Sequence, residues 1–306
     1  IPSQNEDWRF QLSAADPTDD ERKRVALLES IRNETPLKIV TNAQQFYSPR
    51  NIAQLASLVE AFPTATILAG GTDVGLWVTK QHRSLDIIIY IGNVSGLDDI
   101  ATTDTHLEIG AACTLTDAMS PLLELYPELS ELLMRFASPP VRNAGTLGGN
   151  IANGSPIGDS MPALLVLQAD LVLRKGEVTR TLPLGEFYID YQKTALRQGE
   201  FVARVLIPTP VDGVLVRSYK ISKRFDQDIS AVCAAFSLHV QKGVVTDFRA
   251  AYGGMAAIPT RASHCEQALL GKNWNRISLA EAKAALDDDF EPLSDMRSSA
   301  DYRSEV

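Results

Sequence analysis

The sequence predicts an α+β protein, and three observations carry that prediction. From about residue 213, "GVLVRSYKISKR" and "SAVCAAFSLHVQKGVVTDFRAAYGGM" alternate apolar and polar residues about a Lys242-Gly243 turn, the pattern of an antiparallel meander. Helical repeats follow in "RASHCEQALLG", stopped by Gly271, and in "ISLAEAKAALDDDF". Upstream, strand-like and helix-like runs interleave until the two prolines of "VLIPTP", which mark a boundary near 210. A chain of 306 residues has room for two or three compact units.

Residues 1–35 are polar and read as an arm or linker. Within them "DDERKRVALLESIRN" predicts one amphipathic helix with Val25, Leu27, Leu28 and Ile31 on one side. "NIAQLASLVEAF" predicts a helix capped by Asn51, "ATILAGG" a buried strand and "SLDIIIYIG" a second strand. "HLEIGAACTLTDAM" changes from strand to helix after Thr114, and "ELSELLMRFAS" is a helix that Pro139 and Pro140 stop. "VRNAGTLGGNIANGSPIGDS" is rich in turn formers and reads as a long loop, ordered by Leu147 and Ile151. "ADLVLRKGEVTRTLPL" is a hairpin turning at Lys175-Gly176, and "FVARVLIPTP" a strand.

Composition excludes several classes. Hydrophobic content of 45% and charged content of 22% suit a globular chain. The longest apolar runs, "DIIIYIG" and "MPALLVLQADLVL", fall short of the ~20 residues that a bilayer requires. A net charge of -9 argues against general affinity for nucleic acid or anionic lipid. Cys113, Cys233 and Cys265 are odd in number and scattered, which predicts free thiols in a reducing compartment. His82, His106, His239 and His264 are dispersed, so no metal site is expected.

Two glycine tracts are the candidate chemistry. In "AGGTDVG", Gly70 and Gly71 can take positive φ and expose N–H groups to an anion, with Thr72 as a further donor. The GGxxxG spacing matches neither GxGxxG nor a P-loop, so a tight structural turn explains these residues equally well. In "GTLGGNIANG", Gly148, Gly149 and Asn150 offer a second nest, with Thr146 beside it. Two nests suit a dinucleotide diphosphate better than one. Asp159 precedes a helical run and reads locally as a helix N-terminal carboxylate. "KISKRFDQD" reads as a solvated loop.

"ILAGGTDV", "ASPPVRNAGTLGGNIANGSPIGDSMPALL", "VLIPTP" and "YKISKRFDQDIS", in that order over about residues 37–290, resemble the FAD-binding part of the molybdenum hydroxylase family. That family includes xanthine dehydrogenase, aldehyde oxidase and the carbon monoxide dehydrogenase flavoprotein; "TDVGLWVTK" is most similar to bacterial xanthine dehydrogenase small subunits. The resemblance implies a two-subdomain FAD cradle of the vanillyl-alcohol-oxidase (PCMH) type at 36–211, split into about 36–95 and 96–211. A CO dehydrogenase flavoprotein C-terminal-like α+β domain would follow at 212–306.

It implies that Ile67, Leu68, Ala69, Gly70, Gly71, Thr72, Asp73 and Val74 wrap the FAD pyrophosphate, and that Phe136 lies at the adenine end. Thr146, Leu147, Gly148, Gly149 and Asn150 would form the second phosphate and ribityl loop. Asp159 would hydrogen-bond the cofactor, and Val202, where the family often has leucine, would lie beside the flavin. Lys220 would stand at the flavin's polar edge, with Asp228 and Ile229 on a loop near the ring. No certain acid or base is implied.

The implied activity is electron transfer in a xanthine dehydrogenase. Electrons from xanthine or hypoxanthine reach FAD through [2Fe–2S] clusters and leave as hydride to NAD⁺. The clusters and the molybdenum cofactor would sit in an N-terminal iron–sulfur region and a molybdopterin-binding large subunit, because three scattered cysteines cannot build a Cys₄ site. The arm resembles the linker after that iron–sulfur region, which is therefore expected to lie outside this sequence. A cytoplasmic hetero-oligomer is expected. The alternatives are the flavin subunit of a carbon monoxide, nicotinate or aldehyde hydroxylase, a stand-alone flavin oxidoreductase, or a cofactor-free interaction subunit.

Overall fold

The structure is a computed structural model that describes residues 16–306 apart from 32 and 226. Residues 1–15 of the expected arm lie outside the described residues. Helix α1 (Asp19–Ser30) starts at a capping box in which Thr18 accepts from the Glu21 N–H and the Glu21 carboxylate accepts in return. Its Val25, Leu27, Leu28 and Ile31 are all exposed.

The first sheet contains β1 (Leu37–Val40), β2 (Gln45–Ser48), β3 (Thr66–Leu68) and β4 (Ile87–Tyr90), in the order β1-β2-β4-β3. Strands β2 and β3 run parallel to β4, and β1 pairs antiparallel with β2. Helix α2 (Ile52–Ala61) makes the crossover; Asn51 caps it by accepting from the Gln54 N–H at 3.0 Å, and Leu55, Ala56 and Val59 are buried. The short α3 (Val74–Thr79) begins directly after the first glycine tract. Strand β3, expected to be buried, is half-exposed along its length because it is the sheet's edge and its Ile67 faces a cleft.

The second sheet is antiparallel, in the order β5-β6-β11-β7-β8. Strands β5 (Ile100–Thr102) and β6 (His106–Gly110) lead into a helical run: α4 (Leu115–Leu125), α5 (Ser130–Arg135), α6 (Pro139–Ala144), α7 (Leu147–Asn153) and α8 (Ser160–Val166). The chain returns through β7 (Asp170–Lys175), β8 (Val178–Pro183), the ribbon of β9 (Tyr188–Asp190) and β10 (Lys193–Thr194), and β11 (Phe201–Pro208). The β7–β8 hairpin turns at Lys175-Gly176, with Gly176 at φ +56°. Leu107, Ile109, Leu171, Leu173, Val205 and Ile207 are fully buried and form the core around β11.

The glycine-rich stretch expected as a loop is largely helical, since 139–144 and 147–153 form α6 and α7. Local propensity is overridden by packing. A Cβ on Gly148 would lie 2.5 Å from the Ala111 Cβ, so glycine is what lets α7 rest on the end of β6. Gly154, at φ +61°, ends α7 in the left-handed conformation. The helix before Pro139 and Pro140 does end ahead of them, at Arg135, and the two prolines also fill the first positions of α6, where no N–H is needed.

The third sheet has the order β12-β13-β14-β15: β12 (Val214–Ile221), β13 (Val232–Gln241), β14 (Val244–Gly253) and β15 (Thr260–Arg261). All its pairings are antiparallel, and β13 turns into β14 at Lys242-Gly243, both with positive φ. Helices α9 (Ser263–Leu269), α10 (Arg276–Ala284) and α11 (Leu286–Asp289) pack together, with α9 also on β14. From the second sheet's helical run, α8 packs against β13 and β14. A last helix, α12 (Ala300–Glu305), is tied on by Arg303, whose Nε donates to the Ala231 carbonyl at 3.2 Å.

If close approach is the reason for glycine at 148, Gly148→Ala should destabilise the cofactor-free protein by about 1–3 kcal/mol through overpacking. Urea unfolding checks this, and an unchanged midpoint would contradict it.

Candidate functional site

Between the first and second sheets lies a cleft of about 300 Å³, within the range of small-molecule sites. The turn after β3 forms one wall and the 136–153 segment the other, with Phe201 and Val202 of β11 between them. A second depression of about 470 Å³ adjoins it, sharing Ile67 and Leu196.

The two glycine tracts touch. A Cβ on Gly70 would overlap the Ala144 carbonyl oxygen, and one on Gly145 would lie 3.2 Å from Thr72 Oγ1. Gly70 is therefore glycine for close approach, and Gly71, at φ +70°, for its backbone conformation. Among the described residues no acceptor is found for the N–H groups of Gly70, Gly71, Thr72, Asp73 and Val74. The Asp73 carboxylate is turned aside, accepting from Trp77 Nε1 at 2.9 Å. The first tract thus presents a row of backbone donors, the arrangement that receives a diphosphate.

The second tract differs from its expectation. The Gly149 N–H donates to Thr146 Oγ1 at 3.0 Å, Asn150 N–H to the Thr146 carbonyl and Leu147 N–H to the Cys113 carbonyl. These bonds occupy three of the five expected donors, and among the described residues the Thr146 and Gly148 N–H groups have no acceptor. The tract lines the cleft with fewer unbonded backbone donors than the first.

Of the expected residues, Ile67, Ala69 to Val74, Phe136, Thr146, Gly148, Gly149, Asn150 and Val202 line the cleft. Leu68, Leu147, Asp159, Lys220, Asp228 and Ile229 do not. Leu147 belongs to the core, 3% exposed. Sequence reading missed Trp77, Ala137, Val141, Gly145, Leu196 and Phe201, which also line it. Trp77 had a usable signal, because it lies four residues after Asp73 in a helix that begins at the glycine turn.

Asp159 and Lys220 close on each other. Lys220 Nζ lies 2.6 Å from Asp159 Oδ2 and donates to Ser230 Oγ at 2.8 Å, while Ser230 donates to Asp159 Oδ1. Their side chains are 1% and 5% exposed, so the two charges need each other in place of water. Asp159 stands at the head of α8, as its local reading expects, but makes no side-chain cap there. The link to the cleft runs through Ser160, which donates to the side-chain oxygen of the cleft residue Asn150.

Above this pair, Arg135 of α5 donates to the carbonyls of Lys220 and Phe225 and to Ser222 Oγ, with its guanidinium 4.6 Å from the Phe225 ring centre. Asp228 accepts from the Arg224 N–H and guanidinium, and these bonds hold its carboxyl below the usual range.

No group of three or more metal-ligating side chains occurs among the described residues. All three thiols are buried. Burial, with nearby carboxylates, raises Cys113 and Cys265 to about 12 and lifts Cys233 well above its ordinary value.

A cleft between two sheets, lined by unbonded backbone donors and by apolar side chains, has the chemistry of a site for a phosphate-bearing organic molecule. Residues 41–210 match the FAD binding domain in molybdopterin dehydrogenase, and 217–306 match the CO dehydrogenase flavoprotein C-terminal domain. The chain belongs to this family of FAD-binding components of molybdenum hydroxylases.

Among its relatives, the xanthine dehydrogenase FAD-binding subunit of Escherichia coli O157:H7 is 29% identical over 84% of this chain and 90% of that protein. The nicotinate hydroxylase and the xanthine dehydrogenase of Emericella nidulans are each 30% identical, over 76% and 83% of this chain but 19% and 20% of their own lengths. The chain thus spans about a fifth of those longer relatives. A carbon monoxide dehydrogenase structure from Hydrogenophaga pseudoflava superposes with a TM-score of 0.81 at 26% identity, covering 87% of this chain and 94% of that one.

Two outcomes follow from this geometry. Lys220→Met alone strands a buried carboxylate and should cost about 3–5 kcal/mol, whereas Lys220→Met combined with Asp159→Leu should cost less than either single change; additive losses in urea unfolding would contradict the pairing. With its thiols raised by burial, the native chain at pH 8 should react with Ellman's reagent far more slowly than the unfolded chain. A thiol that reacts fast in the native state would contradict the burial.

Proposed function

We propose that this chain is the FAD-carrying electron-transfer component of a xanthine dehydrogenase. The observation that carries the reading is the row of unbonded N–H groups from Gly70 to Val74, held against the second glycine tract across one cleft. These donors would bind the FAD diphosphate by charge and geometry, with no lysine or arginine among the cleft-lining residues. Phe136 would flank the adenine end, and Ile67 and Val202 would bound the flavin with apolar surface that excludes water. When bound, FAD supplies the ability to collect electrons and release them as hydride.

Asn150 would be oriented for the cofactor by Ser160, and the Asp159–Lys220 pair would fix the β12–β13 loop bearing Asp228 and Ile229 over the site. Iron–sulfur clusters and a molybdenum cofactor, on a neighbouring region and a large subunit, would deliver electrons taken from xanthine or hypoxanthine, and NAD⁺ would be the acceptor. The setting would be the cytoplasm. No helix among the described residues is long and apolar enough to cross a membrane.

A second reading, the flavin component of a nicotinate or carbon monoxide hydroxylase, is favoured by the similarity to those two proteins and shares the same cleft. In both readings the purified chain should be yellow, release FAD rather than FMN on denaturation, and oxidise NADH with an artificial acceptor while leaving xanthine unchanged. A colourless chain that takes up no added FAD would overturn both.

A further inference from the structure

Arg142 lies on α6 and is only 8% exposed, yet among the described residues no carboxylate pairs with it. Its Nη1 instead donates to three main-chain carbonyls, those of Met134 at 3.2 Å, Phe136 at 2.8 Å and Ala137 at 3.3 Å. The reason is written in "FASPPVRN". Carbonyls at the end of α5 need donors, and a helix end ordinarily finds them in the N–H groups that follow. Here two of the next residues are Pro139 and Pro140, which have none. The arginine supplies by side chain what the prolines withhold.

What it holds is unusual backbone. Ala137 has φ +55°, a region costly for any residue with a Cβ. Among the described residues the other non-glycine positions with positive φ are His82, Gln168, Gln192, Gln227 and Lys242, and none of them lines the cleft. Ala137 does, next to Phe136, while Arg142 itself does not. Strained backbone persists only where its surroundings over-determine it. At Ala137 the alanine methyl can form no hydrogen bond, so the constraint comes from outside the residue, and the Arg142 guanidinium bonds its carbonyl.

We propose that Arg142 is a positioning residue for the cofactor: by bonding the Met134, Phe136 and Ala137 carbonyls it locks Ala137 in the left-handed region and sets Phe136 as a wall of the cleft. This rests on the reading of the cleft as an FAD site. It assigns the arginine to shaping the protein before the cofactor arrives, not to touching it.

Glycine provides the test, because it takes positive φ without a brace. FAD dissociation constants would be measured on cofactor-stripped protein by quenching of flavin fluorescence, for the parent, Arg142→Met, Ala137→Gly and the double variant. The expected result is about tenfold weaker binding for Arg142→Met, equal to about 1.4 kcal/mol. Ala137→Gly alone should change the dissociation constant by less than Arg142→Met does, and the double variant should bind more tightly than Arg142→Met and return most of the lost affinity.

Parent-like binding by Arg142→Met would overturn the proposal. So would a double variant no tighter than Arg142→Met, the result expected of an arginine that merely stabilises the fold, since glycine replaces none of its hydrogen bonds. A parent that binds no FAD would instead overturn the cofactor reading, and the brace with it. If Arg142→Met does not fold, Arg142→Lys with and without Ala137→Gly carries the same comparison.

Discussion

The contact of Gly70 with the Ala144 carbonyl is the constraint on which the rest of the site depends. It joins a turn of the first sheet to the helical run of the second with no side chain between them. Because the two backbones meet there, the N–H row from Gly70 to Val74 faces a wall and not open water, and the cleft has two sides. A larger residue at Gly70 would separate the sheets at the point where an anion would sit. Glycine at this position is a requirement of assembly first, and a feature of binding through that assembly.

The third sheet is joined to the cleft by charge. The Asp159–Lys220–Ser230 cluster closes the junction between the head of α8 and β12, and Arg135 reaches over it to the turn beyond β12. Buried charge pairs are poor sources of net stability but strict about geometry, because a misplaced partner leaves an unpaired charge. That strictness fixes where the end of β12 sits against the head of α8. Ser160, next in the chain to Asp159, donates to Asn150 of the cleft wall, so the cluster and the wall meet at adjacent residues at the head of α8.

Much of this was legible in the sequence where the cause is local. The turns at Lys175-Gly176 and Lys242-Gly243, the Asn51 cap and the switch from strand to helix after Thr114 each depend on a few neighbouring residues, and each was read correctly. The family matched by the chain is also the one its motifs resemble. Reading failed where distant contacts decide. Glycine and asparagine in 145–153 suggest a loop, but Thr146 caps the stretch as a helix, Gly154 ends it and Gly148 packs it on Ala111. Strand β1 was missed because four residues, Leu37–Val40, are too short a run for their alternation to stand out. The pairing of Asp159 with Lys220 joins residues in separate elements, and local pattern gave only a helix-head carboxylate.

The central claim is that backbone donors of the first glycine tract hold a diphosphate. Calorimetric titration of the cofactor-stripped chain with FAD, ADP and riboflavin tests it most directly. Binding through the diphosphate predicts that FAD and ADP both bind and that riboflavin, which has the ring but no phosphate, binds far more weakly than FAD. Riboflavin binding as tightly as FAD, with no binding of ADP, would contradict the account.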